Sequence, residues 1–139
     1  MERWSKRALD EVTYRIIGAA IEVHRETGPG LLENVYHRCM KQELSSRGLA
    51  FISEMSVRLD YKGLSFDADL RCDLLVEGCI AVELKAVDRL APVHEAQLLT
   101  YMKLLRVPKG ILINFTCANI FREGQRTFVN ELFRALPDE

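Results

Sequence analysis

The stretch from Asp67 to Lys85 constrains the fold of this chain more than any other part of it. Apolar and polar residues alternate on either side of Glu77-Gly78, which is the pattern of two β-strands joined by a turn. Because successive side chains of a strand point to opposite faces, Asp73 lies on the polar face of the first strand. Glu83 and Lys85 share the polar face of the second strand. The sequence therefore predicts a hairpin with one charged face and one apolar face.

The second strand carries a feature that a solvated hairpin does not need. Residues 80–82 are apolar on both faces, as in a strand that is covered on both sides. A carboxylate, Glu83, and an ammonium, Lys85, follow at its end. Together with Asp73 they offer two carboxylates for a hard divalent cation, with a lysine beside them. For the two strands alone, a solvent-exposed charged face remains the alternative interpretation.

The remainder of the chain predicts the element order ααβββαβ, followed by a tail. Apolar residues recur at helical spacing in three segments, and short apolar or alternating runs indicate strands before, within and after the central stretch. The predicted helices are 8–24, about 30–46 and 92 to about 105, and the predicted outer strands are 51–61 and 110–115. A meander followed by a helical crossover predicts a mixed sheet flanked by helices, an α/β fold. The tail, 119–139, is expected to pack as a strand or helix at the sheet edge.

Length and composition predict a single domain that spans residues 1–139. The chain is 48% hydrophobic and 28% charged, as is typical of globular proteins, and its net charge of −1 does not by itself favour nucleic-acid binding. No signal-peptide or membrane-span pattern is visible. We therefore expect a cytoplasmic protein with reduced thiols, because its scattered cysteines form no metal-binding pair: Cys39, Cys72, Cys79 and Cys117.

Asp73 with Glu83-Leu84-Lys85 resembles the core motif of the PD-(D/E)xK nuclease superfamily. Cys72 stands where the superfamily name has proline, a position that tolerates variation. Earlier in the chain, Gly30-x-x-Glu33-x-x-Tyr36 resembles the signature of the GxxExxY protein family, a branch of this superfamily. Later, Gln97-x-x-x-Tyr101 resembles the QxxxY element of its exonuclease-like branch. The resemblance covers about residues 10–118 and implies a restriction-endonuclease-like PD-(D/E)xK core.

The resemblance also implies the roles of individual residues. The catalytic residues would be Lys85, Glu83, Asp73 and Gln97. The ligands of a Mg²⁺ or Mn²⁺ ion would be Glu33, Asp73, Glu83 and the backbone carbonyl of Leu84. Substrate contacts would come from Tyr36, Arg71, Gln97 and Tyr101, with Arg89 and Lys103 as further candidates for phosphate. Such hard oxygen ligands suit Mg²⁺ or Mn²⁺ rather than zinc.

Three residues of these motifs and their surroundings have simpler interpretations. Glu33 lies on the same helical face as Tyr36, and without the resemblance it would be read as a solvated glutamate. Tyr36 would pack in the core and order its neighbours. His94 is expected to lie at the start of a helix rather than to bind a metal.

The implied activity is metal-dependent hydrolysis of phosphodiester bonds, in DNA more than in RNA. The expected partner is nucleic acid and not a membrane. A homodimer or larger complex is also expected, because so small a domain has little surface for grasping a duplex. One alternative is hydrolysis of some other phosphate ester. The other is a non-catalytic module of the same fold that binds nucleic acid or a protein. The complete set of Asp73, Glu83 and Lys85 argues against a non-catalytic module, because degenerate members usually lose the lysine or an acid.

The turn between the two central strands decides whether Asp73 and Glu83 can act together. Directly opposed residues of antiparallel strands lie on the same face, so the numbers of paired residues must have an even sum. A two-residue turn at Glu77-Gly78 would pair Val76 with Cys79 and place the two acids on opposite faces.

We therefore predict an odd loop, Val76 to Gly78, with Gly78 in the left-handed region. This loop would pair Leu75 with Cys79. It would place Ala81 opposite Asp73 and leave Glu83 as the diagonal neighbour. A bulge would produce the same parity.

Overall fold

The computed structural model describes residues 4–139. Its elements follow the predicted order. They are α1 (Lys6–Thr27), α2 (Glu33–Ser46), β1 (Phe51–Tyr61), β2 (Leu64–Val76), β3 (Ile80–Lys85), α3 (Pro92–Leu105), β4 (Lys109–Asn114), a π-helical turn (Ile120–Gly124), β5 (Gln125–Val129) and α4 (Glu131–Arg134). The α/β fold and the order ααβββαβ are thus confirmed, and the tail adds an edge strand and a short helix.

The five strands form one mixed sheet in the order β1-β2-β3-β4-β5. β3 and β4 are parallel, and every other neighbouring pair is antiparallel. The parallel pair is joined by α3, the helical crossover that such a pair requires. β3 lies at the centre of the sheet and all but its last residue are buried, as its apolar sequence predicts.

Helices cover both faces of the sheet. On one face, α1 and α2 pack against the even-numbered residues of β3, and this larger core includes Ile16, Tyr36, Met40, Val82 and Leu84. On the other face, α3 packs against a second core that includes Val57, Cys72, Ala81, Leu98 and Leu112. By alternation along β3, the side chains of Glu83 and Lys85 lie on the face that α3 covers.

The second helix begins at Glu33, three residues later than the predicted start. The hydroxyl of buried Tyr36 explains the difference. It donates a hydrogen bond to the carbonyl of Gly28 and accepts one from the N–H of Leu31, at 3.1 Å. These bonds hold the segment after α1 in a turn. Leu32 keeps an extended backbone and caps the helix.

The turn between β2 and β3 has the predicted parity but not the predicted loop. Val76 pairs with Ile80, so paired residue numbers have an even sum, and Gly78 is left-handed with φ 67°. Glu77 is left-handed as well, with φ 53°, so that Glu77-Gly78 forms a tight turn closed by the Cys79 N–H on the Val76 carbonyl at 3.1 Å. Cys79 lies between this turn and the Val76–Ile80 pair without a partner on β2, and this extra residue gives the paired residue numbers an even sum. The predicted pairing of Leu75 with Cys79 is wrong, because Leu75 pairs with Ala81.

β1 and β2 extend well beyond the rest of the sheet. β2 pairs with β3 only through residues 74–76, whereas it pairs with β1 along its whole length. Residues 54–73 therefore form a two-stranded ribbon. Its register shifts between Val57 and Arg58, where two extra residues of β2, Ala68 and Asp69, are inserted. Such an insertion bends a ribbon and increases its twist.

No helix within residues 4–139 has the length and apolar character needed to cross a membrane. The four cysteines carry free thiols. Those of Cys72 and Cys79 are fully buried, and burial raises the pKa of each to about 12, so they pack as small apolar side chains.

Candidate active site

Asp73 and Glu83 lie at the point where β2 and β3 separate. Backbone pairing between the strands ends at Leu74 and Val82, and one further step of this register places Asp73 directly opposite Glu83. Beyond that point the two carboxylates, rather than backbone carbonyls, accept the hydrogen bonds between the strands. The N–H of Asp73 donates to Oε1 of Glu83, and the N–H of Leu84 donates to Oδ2 of Asp73, each at 2.8 Å. The predicted position of Ala81 opposite Asp73 is therefore wrong, because Ala81 pairs with Leu75.

Each carboxylate has one anchored oxygen and one available oxygen. Within residues 4–139, neither Oδ1 of Asp73 nor Oε2 of Glu83 accepts a hydrogen bond from a protein group, and neither is sealed from solvent. The carbonyl of Leu84 points to the same strand as its N–H, because both groups of a strand residue face one neighbour. The fork between the strands thus collects three oxygen atoms that can bind a cation.

Burial makes this pair of acids electrostatically unfavourable. Only 3% of the Glu83 surface is exposed. Burial first, and then the charge of Asp73, raise the pKa of Glu83 to about 8. Burial also raises the pKa of Asp73. A divalent cation bound between the carboxylates would remove this penalty, since it compensates the buried negative charge.

Lys85 lies one strand repeat after Glu83, on the same face of β3. Its side chain is half-buried, and its positive charge lowers the pKa of both Asp73 and Glu83 against the effect of burial. In the sheet it pairs with Asn114 of β4. The catalytic role of Lys85 remains a prediction.

Asn114 has a role that the sequence reasoning missed. This buried amide accepts hydrogen bonds from the N–H groups of Val87 (3.1 Å) and Thr116 (3.3 Å), and it donates to the carbonyl of Val87 at 2.8 Å. It thereby holds the segment that follows Lys85 against the end of β4. A polar residue closing a buried apolar run was the available signal, because functional residues gather at the carboxyl ends of parallel strands.

Charged groups at the start of α2 lie within electrostatic reach of the same site. Glu33 is exposed, and its negative charge contributes to the raised pKa of Glu83. One turn later, His37 hydrogen-bonds through Nε2 to Oγ of Ser53 at 3.1 Å, and its charge lowers the pKa of Asp73. In the part of the chain that the structure describes, no three His, Cys, Asp or Glu side chains stand close enough together to hold a metal ion. The role of Glu33 as a third acidic ligand remains a prediction.

Glu54 is a further acid that the sequence reasoning missed. Its neighbours Ser53 and Met55 pair with Leu74 and Cys72, so Glu54 lies opposite Asp73 on the side away from Glu83. Its backbone is left-handed, with φ 53°, and its charge contributes to the raised pKa of Asp73. No local pattern indicated this position, because it follows from the register of β1 against β2.

Helix α3, which carries the predicted QxxxY residues, packs on the face of the sheet opposite α2. Tyr101 is buried, and burial first, then the charge of Glu83, raise the pKa of its hydroxyl. Gln97 is half-buried one turn earlier on α3. His94 accepts a hydrogen bond at Nδ1 from the N–H of Ala91 at 3.0 Å, which caps the helix. The expectation that His94 lies at a helix start is therefore confirmed.

The residues predicted to contact the substrate differ in exposure, and one of them is fully buried. Tyr36 has no exposed surface, and its ring stacks on Phe115 with centroids 4.3 Å apart. This arrangement matches the packing role and leaves no surface for a substrate. Arg71 is exposed on the ribbon, where it pairs with Asp67 at 3.4 Å. Arg89 and Lys103 are exposed, and Arg89 lines a small polar cleft of about 260 Å³ beside Asn114.

The model of the PD-(D/E)XK nuclease superfamily matches residues 10–127, which is most of the chain. The chain belongs to this superfamily. Its fold agrees with that assignment, and superfamily members are generally nucleases that use divalent metal ions. No curated protein is significantly similar to the chain.

Among solved structures, the chain resembles the crystal structure of SSO0001, with a TM-score of 0.51 and 21% sequence identity. The match covers 70% of this chain and 49% of SSO0001, so the chain spans about half the length of that protein. At this identity the likeness concerns the fold alone.

The residues at the fork fit the divalent metal ion that the superfamily implies. The buried carboxylate of Glu83, the half-buried carboxylate of Asp73 and the carbonyl of Leu84 offer hard oxygen ligands, and no His/Cys cluster lies among residues 4–139. Mg²⁺ commonly binds through one or two carboxylates and keeps several waters, so Asp73 and Glu83 suffice as its protein anchors. The donor chemistry does not suit a structural zinc ion.

Proposed function

We propose that the protein is a nuclease of the GxxExxY branch that uses Mg²⁺ or Mn²⁺ to hydrolyse phosphodiester bonds, in DNA more than in RNA. The observation that carries the proposal is the reciprocal hydrogen bonding of Asp73 and Glu83 at the fork. These bonds orient one oxygen of each carboxylate toward the backbone and leave the other for a cation.

The metal ion, when bound, supplies a water of lowered pKa and neutralises charge on the scissile phosphate. Asp73, Glu83 and the carbonyl of Leu84 would hold the ion at the fork, and Glu33, at the start of α2, would be a further acidic ligand. Lys85 directs its ammonium to the same face as Glu83, where it stabilises the charge that develops on the phosphate in the transition state. Asn114 keeps the segment after Lys85 in place. Gln97 and Tyr101 border the site from α3.

A cleavage assay tests the proposal. Single-stranded, double-stranded and branched DNA and RNA are incubated with the protein and Mg²⁺ or Mn²⁺, with EDTA as the blank. We expect cleavage that needs the metal and falls roughly 100-fold or more in Lys85→Ala. Lys41→Ala, which removes a lysine from α2 away from the fork, is the matched control.

Absence of cleavage on every substrate, with intact nucleic-acid binding, would instead indicate a non-catalytic module of the same fold. Cleavage that survives Lys85→Ala unchanged would show that another site or a contaminant is responsible.

A further inference from the structure

The outer part of the ribbon has one apolar face and one polar face. Leu59 pairs with Phe66, and Tyr61 pairs with Leu64. Paired residues and their neighbours two positions along share a face, so these four side chains form one continuous apolar surface. The other face carries Arg58, Asp60, Ser65 and Asp67. We call the apolar surface, made of Leu59, Tyr61, Leu64 and Phe66, the ribbon face.

Nothing in the described chain covers the ribbon face. Tyr61 is 59% exposed, Leu64 61% and Phe66 39%. Nearer the sheet, Val57 lies on the same face of β1 as Leu59 and Tyr61. It is fully buried in the core beneath α3. A two-stranded ribbon is marginally stable in water, and a contiguous exposed apolar surface of this kind marks an interaction site.

The ribbon face lies partly on the same strand as Asp73, beyond the point where β2 separates from β3. β2 carries both Phe66 and Asp73, and the ribbon leaves the sheet at Asp73. β1 and β3 run in the same direction, since both are antiparallel to β2, so the ribbon projects past the end of β3 where Lys85 lies. At about 3.3 Å per residue, Phe66 is roughly 20 Å from Asp73, a few nucleotides of an extended strand.

A cation lies beside one of the two aromatic rings of the ribbon face. Nζ of Lys62 lies 5.4 Å from the centre of the Tyr61 ring. Arg58 lies on the polar face opposite Asp67 and two residues from Asp60, so Lys62 is the cation beside the apolar face. Aromatic rings beside cations are the features with which proteins bind unpaired nucleotides, because every base has a stacking face and every phosphate a charge.

We propose that the ribbon face stacks unpaired bases of the nucleic-acid strand whose phosphodiester bond lies at Asp73 and Glu83. This inference rests on the proposed function and narrows its substrate class to nucleic acid with a single-stranded segment beside the cleavage site. Lys62, which lies beside the Tyr61 ring, contacts the phosphates of the same segment.

Two fluorescent oligonucleotides of equal length test the proposal, a thymidine strand and the same backbone with abasic sites in place of the bases. Because their phosphates are the same, any difference in affinity reports contacts to the bases. Anisotropy is measured in EDTA so that no metal-dependent cleavage occurs. We expect the wild-type protein to bind the thymidine strand at least fivefold more tightly, since stacking is worth about 1–3 kcal/mol per base.

The double variant Tyr61→Ala/Phe66→Ala should lose this difference while binding the abasic strand as before. Tyr61→Trp should retain it, because the ring is preserved. Tyr14→Ala is the matched control, since Tyr14 is 76% exposed on α1 and lies outside the ribbon. Circular dichroism verifies that all variants are folded.

An unchanged base preference in the double variant would overturn the inference, as would a wild-type protein that binds both strands equally or neither. A shift in sedimentation of the double variant, with unchanged strand binding, would assign the ribbon face to self-association instead. The cleavage assay distinguishes failure of the ribbon inference from failure of the proposed function. Metal-dependent cleavage without base preference removes only the ribbon inference, whereas base preference without cleavage removes only the hydrolytic activity.

Discussion

Asp73 and Glu83 stand opposite each other on β2 and β3, and each carboxylate accepts a hydrogen bond from the backbone of the other's strand. The two side chains replace the backbone pairing that ends one residue earlier. This exchange lets the strands separate without leaving their N–H groups unsatisfied, and it fixes the acids within reach of a common cation.

The first prediction concerns metal binding. Asp73→Asn and Glu83→Gln should each abolish Mn²⁺ binding measured by calorimetry, because each removes one of the two anchoring charges. Both variants should fold, since an amide oxygen can still accept the backbone hydrogen bond. Asp60→Asn, an exposed acid of the ribbon, should bind Mn²⁺ like the wild type. Unchanged affinity in both site variants would refute the assignment of the fork as the metal site.

The second prediction concerns the stability of the metal-free protein as a function of pH. The pKa of Glu83 is about 8 in the folded protein, mainly through burial, and near 4.5 as an ordinary glutamate. Between these values the unfolded chain loses the proton first. The contribution of Glu83 to the free energy of unfolding should therefore be greatest below about pH 4.5. It should fall as the pH rises toward 8, by at most about 1.4 kcal/mol per pH unit.

Glu83→Gln has no such proton, so its stability should vary less over this range and should exceed that of the wild type at pH 8. Urea denaturation in EDTA at several pH values measures the difference. Glu43→Gln, which alters an exposed ion pair on α2, should follow the wild-type profile. Parallel profiles for wild type and Glu83→Gln would show that Glu83 does not hold its proton in the folded state.

The third prediction concerns Glu33. If it completes the coordination of the metal, Glu33→Gln should weaken Mn²⁺ binding by roughly tenfold or more and leave thermal stability nearly unchanged, because the side chain is exposed. A crystal structure with Mn²⁺ should then place a Glu33 oxygen at the ion or one water away from it. Glu33 remaining in bulk solvent in that structure would reduce the Gly30 to Tyr36 signature to a packing motif.

The fourth prediction concerns Asn114. Asn114→Ala should lower the free energy of unfolding by about 2–4 kcal/mol, because the N–H and carbonyl of Val87 would lose their partner. It should also reduce cleavage, since the segment after Lys85 would no longer be held. Thr100→Ala, which removes an exposed hydroxyl on α3, is the control for both measurements. Normal cleavage at a temperature where the variant is folded would show that Asn114 is structural only.

The fifth prediction separates the two interpretations of Tyr36. Tyr36→Phe keeps the stacking on Phe115 but loses both hydrogen bonds to the turn before α2. We expect a loss of about 1–2 kcal/mol in stability and no change in oligonucleotide affinity. Tyr14→Phe should change neither quantity. A clear loss of affinity in Tyr36→Phe would return Tyr36 to the substrate contacts.

The secondary structure was largely predictable because its signals are local. The boundaries of β1, the helix that starts at Pro92 and the breaks at Lys62-Gly63 all follow from spacing and from residues that favour turns. The start of α2 was not predictable in this way. It depends on the Tyr36 hydroxyl, whose partners are fixed only when the ring is buried against Phe115.

The sequence by itself determined that Glu83 and Lys85 share a face of a covered strand, and that Asp73 can join them only if the turn has an extra residue. Which residue is extra, and hence what stands opposite Asp73, was decided by the tertiary structure. The choice depends on the backbone of Glu77, which is held by hydrogen bonds to Ala50. In the same way, only the pairing of distant strands brought Glu54 beside Asp73 and Asn114 beside Lys85. Alternation along a strand is a local property, whereas register between strands depends on turn geometry and on contacts far apart in the chain.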